Sequence, residues 1–167
     1  KPDEIGKQAG RIAKESLHPE QADPGKFDAI FGPMTVADLT EEIGGFASGF
    51  YVDAGLSFFV DKLGQRVASN SFNLEDDPTN EEAAGSAIFD EEGLPTFKKT
   101  IIENGVLRTL LHNSNTAKKM GAKSTANAGL VNPSPFNLVV SAGSKSTEEL
   151  ISAVDDGIYV TNNWYLR

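Results

Sequence analysis

Ala87–Gly121, AIFDEEGLPTFKKTIIENGVLRTLLHNSNTAKKMG, decides the fold. Asp90–Gly93 is an acidic cluster closed by a glycine that can take positive φ, which reads as a turn. Thr96–Ile102 and Val106–His112 are both rich in β-formers, and Asn104-Gly105 lies between them. Asn-Gly suits a two-residue type I′ loop, because both central positions need φ > 0. That loop sets a register: Ile102 opposite Leu107, Thr100 opposite Thr109, Phe97 opposite His112. The other face carries Glu103 with Val106 and Ile101 with Arg108. Neither face is wholly polar or apolar, so the expectation is a long hairpin partly covered on both sides.

Outward from the hairpin, periodicity supplies the other elements. Pro2–Leu17 reads as a helix, with Ile5, Ala9, Ile12 and Ala13 roughly on one face. His18-Pro19 ends it, since the residue before proline leaves the α region. Pro19–Lys26 is a linker and Phe27–Phe31 a short strand. Gly32-Pro33-Met34 turns into a second helix with Thr35 as its N-cap, and Leu39, Ile43, Phe46 and Phe50 facing a core. Gly44-Gly45 costs about 2 kcal/mol of helix propensity against two alanines, so the helix is expected to loosen or end there. Asp53–Leu63 reads as a short helix or, over Phe58-Phe59-Val60, as strand. Arg66–Glu75 reads as extended and Asp76–Glu82 as an acidic loop. Ser114–Met120 is a helix capped by Ser114 or Asn115 and closed by Gly121. Ala122–Phe136 is a polar loop, Phe136–Ser141 a strand, Thr147–Val154 a helix with acids in its first turn, and Ile158–Thr161 a strand. Asn162–Arg167 continues extended. The sum is an α+β domain over 1–167: a large antiparallel sheet with hairpins, and helices packed on it or at its ends.

Composition narrows the function classes. Net charge is −9, which disfavours direct binding to nucleic-acid phosphates but leaves protein partners open. There is no cysteine, hence no disulfide framework and no thiolate metal site. No apolar run is long enough to span a membrane.

FDEEGLPT, IIENGVLRTLLHN and NTAKKMG, in this order, resemble the signature region of the TldD/PmbA family of metallopeptidases, also called modulators of DNA gyrase. GQRVASNSFNLEDDP at Gly64–Pro78 and STEELISAVDDGIYVT at Ser146–Thr161 extend the resemblance across nearly the whole chain. It is weakest in the first two dozen residues. It implies a chain that is a fragment, the central part of a longer protein. It implies cytoplasmic action on peptides, in maturing a peptide antibiotic precursor and degrading an antitoxin. TldD-type members carry zinc or another divalent metal on a His-Glu-x-x-x-His helix. Aligned on the downstream motifs, those positions fall on Thr40, Glu41, Glu42, Ile43, Gly44 and Gly45. Glu41 matches the glutamate, while Thr40 and Gly45 stand in place of the histidines. The resemblance therefore implies a PmbA-like chain with no cofactor of its own. Its partner would be a TldD-type subunit, or a second copy in a dimer, with peptide substrate shared across the assembly. No nucleic acid or membrane partner is implied. Two other readings stay open: a metallopeptidase with ligands from outside this chain, and an interaction module linked to DNA gyrase.

Each candidate site has a plainer alternative. Glu41 reads as a remnant general base acting on metal-bound water. With no histidine beside it, a solvated helix glutamate next to Glu42 is the simpler account. His18 sits in a linker and His112 ends a strand, where a structural hydrogen bond is expected. A joint site of the two with Glu41 would have to join distant segments. Asp76, Asp77, Glu81, Glu82, Asp90, Glu91 and Glu92 lack the spacing and central glycine of a calcium loop, and read as solvated acids. Gly121–Gly129, with Ser124, Thr125 and Asn127, lacks the P-loop pattern and reads as an ordinary loop. No GxSxG nucleophile elbow occurs.

Overall fold

The structure is a computed structural model and describes residues 2–163. The elements follow in the order α1 (Pro2–Glu15), β1 (Asp28–Phe31), α2 (Pro33–Phe46), α3 (Gly49–Asp53), β2 (Leu74–Asp76), β3 (Lys99–Glu103), β4 (Val106–Leu107), α4 (Ser114–Met120), β5 (Leu138–Val140), α5 (Thr147–Ser152) and β6 (Gly157–Val160). The fold is α+β, but no large sheet forms among the described residues. A four-stranded antiparallel sheet has the order β4-β3-β2-β5, and β1 pairs with β6 in a separate parallel ribbon. The expected extended run over Asn162–Arg167 falls, from Trp164 on, outside the described residues.

The Asn-Gly hairpin forms in the expected register and is shorter than expected. Ile102 pairs with Leu107 and Glu103 with Val106 across the turn. Asn104 (φ 48°) and Gly105 (φ 74°) both lie in the left-handed region, as a type I′ loop requires. Pairing stops after Leu107. The amides of Arg108 and Thr109 both donate to Ile101 O, and the chain then turns so that Leu111 N–H donates to Ala47 O. Thr100 accordingly faces Glu75 of β2, not Thr109, and Phe97 lies outside the ladder. Backbone pairing to the segment after α2 ends the hairpin.

Ile101, Ile102, Leu107 and Leu111 centre the core, with Leu74 from β2 and Phe59 from the turns after α3. Burying such a side chain contributes roughly 1.5–3 kcal/mol, so these six outweigh any local propensity in the chain. Ile43 and Phe46 pack against this core from α2, as their spacing predicts, whereas Phe50 belongs to α3 and is exposed. Residues 54–63 form neither helix nor strand. Ser57 Oγ donates to Phe46 O and accepts Phe59 N–H, and Asp61 takes φ 57°, so the segment folds as successive turns around α2. Of the extended run expected over Arg66–Glu75, only Leu74 and Glu75 are strand, and Asp76 extends β2 instead of opening a loop. α4 keeps its bounds, but Asn113 is the cap: its side chain accepts Thr116 N–H in a reciprocal capping box. α5 is capped likewise by Ser146. No residue of α1 is buried.

Candidate functional site

α2 carries the three positions on which the sequence reading turns. It starts at Pro33, whose missing N–H costs nothing at a helix start. Thr35 is therefore inside the helix and not its N-cap. Its hydroxyl is buried and donates to Val160 O at 3.0 Å, tying α2 to β6. The helix does not break at Gly44-Gly45 but runs to Phe46. The reason is packing: a Cβ on Gly44 would overlap the Leu138 side chain, so the missing side chain lets α2 lie close on β5. That contact offsets the lost propensity.

Thr40 and Gly44, four residues apart, share this buried face. Thr40 lines a groove of about 640 Å³ between α2, β5, α5 and the β1–β6 ribbon. Its walls are mostly apolar, among them Phe31, Val36, Leu138, Leu150 and Tyr159. Glu41 is exposed at the same groove and also borders a smaller hollow, of about 310 Å³, with Gly45 and Tyr51. Nothing lies within 4 Å of where a Gly45 side chain would start. The motif positions are thus brought to one helix segment beside a groove; Glu41 stands at the motif glutamate with exposed Glu42 next to it, and the two histidine positions offer only a hydroxyl and no side chain. A metal site needs about three N, O or S donors. A buried threonine hydroxyl, a glycine and two successive glutamates, which point to different sides of the helix, do not supply them. Among the described residues no group of three or more His, Asp or Glu side chains converges. The residues present do not fit a metal.

The histidines stand apart from this. His18 is exposed beyond the end of α1. His112 is buried, with Nδ1 3.2 Å from Thr116 Oγ1, and burial holds its pKa below the ordinary value. Its backbone holds the polar loop in place: His112 N–H donates to Thr125 Oγ1, and its carbonyl accepts from Ser124 Oγ and Thr125 N–H. The loop 121–129 is thereby tied to the end of the hairpin through the His112 backbone.

The acidic residues divide by burial. Glu81, Glu82 and Glu91 are exposed. Asp77 accepts from the hydroxyl and amide of Thr79, and the hydroxyl bond chiefly holds its pKa down. Asp90 caps its own turn, accepting from Glu92 N–H and Leu94 N–H on one oxygen and Ala128 N–H on the other. Glu92 accepts from the amide and hydroxyl of Ser114 at the start of α4. Asp76 is fully buried, and sequence reasoning missed its role. Its Oδ1 accepts Phe136 N–H and Asn137 N–H, and its Oδ2 accepts from Asn127 Nδ2 at 2.7 Å and Lys99 Nζ at 3.3 Å. Lys99 also donates to Asn127 Oδ1 at 3.0 Å, and its ammonium lies 4.9 Å from the centre of the Phe97 ring. Burial pushes the Lys99 pKa down against the opposing pull of Asp76. One signal was available: Lys99 shares its strand face with Ile101, a buried position that a lysine takes only with a partner.

The comparisons with known proteins agree with this architecture. Residues 24–167 match the family model described as the PmbA/TldA metallopeptidase C-terminal domain. A TldD homologue metalloprotease from Buchnera aphidicola is 34% identical, over 96% of this chain and 35% of its own length. A metalloprotease from Methanocaldococcus jannaschii is 37% identical, over 92% of this chain and 35% of its own. The metalloprotease PmbA of Escherichia coli O157:H7 is 28% identical, over 96% of this chain and 35% of its own. The chain thus spans about a third of these relatives. A crystal structure of a candidate DNA gyrase modulator from Thermotoga maritima superposes with a TM-score of 0.90 at 35% identity, covering 96% of this chain and 38% of that one. TldE from Thermococcus kodakarensis gives a TM-score of 0.75 at 26% identity, covering 94% and 38%. With the family model matched over residues 24–167 and the fold shared with the Thermotoga maritima structure, this chain belongs to the TldD/PmbA metallopeptidase family.

Proposed function

We propose that this chain is part of a PmbA-like protein that supports peptide proteolysis in the cytoplasm without a catalytic metal of its own. It would do so by pairing with a TldD-type subunit that carries the metal. One observation supports the reading: Glu41 is flanked by a buried threonine and a glycine where two strong ligands would have to stand. Overall identity does not carry it, since the chain is 34% identical to one TldD homologue and 28% identical to one PmbA. The donor set on α2 does. The test is metal content of the full-length protein, purified alone and with a co-expressed TldD-type subunit. We expect no zinc or iron alone and one equivalent in the mixture. Stoichiometric metal in the protein purified alone overturns the reading.

A second reading is favoured by the exposure of Glu41 at the groove of about 640 Å³. There the intact protein is itself a peptidase, with Glu41 taking a proton as general base. Removing a general base costs roughly 10²–10⁴ in rate. Glu41→Gln would lower peptide cleavage by that factor with the fold intact. Unchanged cleavage removes this reading and leaves the first.

A further inference from the structure

A lysine, a primary amide and a carboxylate, all buried, meet between β2, β3 and the loop before β5. Asp76 and Lys99 face each other across the β2–β3 ladder. Asn127 comes from the polar loop, next to Ala126, whose φ of 53° is a left-handed backbone that alanine rarely takes. Lys99 Nζ lies 3.0 Å from Asn127 Oδ1 and 3.3 Å from Asp76 Oδ2. The same Asp76 Oδ2 accepts from Asn127 Nδ2 at 2.7 Å. Asn127 Nδ2 also donates to Ser134 O at 2.9 Å, which fixes the amide with its oxygen toward the lysine.

Water is kept from all three groups. Asp76 and Asn127 are fully buried, and the Lys99 side chain is 4% exposed. The Phe97 and Phe136 rings flank its nitrogen, centred 4.9 and 5.9 Å away. A buried ion pair requires no amide carbonyl at this point. Burial, which pushes the Lys99 pKa down, favours the neutral amine, and the neutral amine is the nucleophile. With Oδ1 at 3.0 Å from Nζ and a C=O bond of about 1.2 Å, the amide carbon lies within roughly 4.2 Å of that nitrogen. Near-attack separations are about 3–3.5 Å, so a small rotation of the lysine side chain closes the gap.

We propose that Lys99 and Asn127 join to each other in an intramolecular isopeptide bond, with Asp76 as the proton carrier. Asp76 Oδ2 first takes a proton from the ammonium and frees the amine. Lys99 Nζ then attacks the side-chain amide carbon of Asn127. The new C–N bond forms, and the bond from that carbon to Nδ2 breaks. Asp76 gives its proton to Nδ2, which leaves as ammonia, and takes the second proton from Nζ. Ammonia carries that proton away as ammonium, so Asp76 ends as it began. Nothing is oxidised or reduced, and no co-reactant is consumed. The bond ties β3 to the loop 121–129 across 28 positions, in a chain with no cysteine for a disulfide. It stands apart from the groove at Thr40 and Glu41 and does not depend on whether the protein carries a metal.

The test is the intact mass of the denatured full-length protein, followed by tandem mass spectrometry of a protease digest. We expect a mass one ammonia below that of the sequence, and one fragment in which the Lys99 and Asn127 peptides are joined. Lys99→Arg and Asp76→Asn should each return the full sequence mass and leave the two peptides separate. The native protein decides the matter by itself if either variant fails to fold: a full sequence mass overturns the proposal. An ammonia deficit that persists in Lys99→Arg also overturns it, because a succinimide at Asn104-Gly105 gives the same mass without the lysine. A fragment joined as completely in Asp76→Asn overturns the part given to Asp76.

Discussion

Asp76 and His112 show what burial does to single residues here. A carboxylate removed from water loses several kcal/mol of hydration, and a lone counter-ion rarely offsets that. Asp76 has four donors, the backbone amides of Phe136 and Asn137, the Asn127 side-chain amide and the Lys99 ammonium, so its lone pairs are satisfied. His112 is buried with only a hydroxyl at Nδ1 and no carboxylate in its hydrogen bonds, so the neutral ring is the one the fold favours. The sign of the linkage follows. The folded pKa lies below the ordinary 6.5, so the unfolded chain takes up a proton first as pH falls. The His112 contribution to stability is therefore complete above pH 6.5 and is lost as pH falls from there through the folded pKa. Denaturant midpoints measured against pH should show this decline in the native chain and a shallower one in His112→Gln. Parallel declines in the two chains would mean that other groups carry it.

At the scale of elements, α2 is decided by contact and not by propensity. Two adjacent glycines predict a break, yet the helix continues because Gly44 is the point of closest approach to β5. The two glycines should respond oppositely to substitution. Gly45→Ala meets nothing within 4 Å and should stabilise by about 0.5–1 kcal/mol through helix propensity. Gly44→Val must displace Leu138 and should cost about 1–3 kcal/mol through overpacking. Chemical denaturation of the two variants ranks them, and equal midpoints would show that α2 does not rest on β5 at Gly44. The hairpin marks the other limit of local reasoning. Asn104-Gly105 specifies turn and register from two residues, because few others accept φ > 0 twice in succession. Where the ladder ends is not a local property: Leu111 N–H is taken by Ala47 O from a segment more than sixty positions away.

For the whole molecule, the core lies in the four-stranded sheet with α2, and α1 contributes nothing to it. Deleting residues 1–17 should leave the unfolding free energy from denaturant titration within about 0.5 kcal/mol, the range of surface changes. A larger loss would mean that α1 docks on the domain. No helix among the described residues is long and apolar enough to cross a membrane. Period and turn chemistry within the chain determined the Asn-Gly turn, the position of α4, the capped α5 and the α+β class, because each depends on neighbours a few residues apart. The motif run Ala87–Gly121 also carried the family, and the residue types at Thr40, Glu41 and Gly45 carried the expectation about metal. Tertiary structure alone decided that the sheet is small, that α2 stays intact through two glycines, and that Asp76 and Lys99 meet inside. Those outcomes depend on pairs far apart in the chain, whose contact free energy exists only once the core has closed around them.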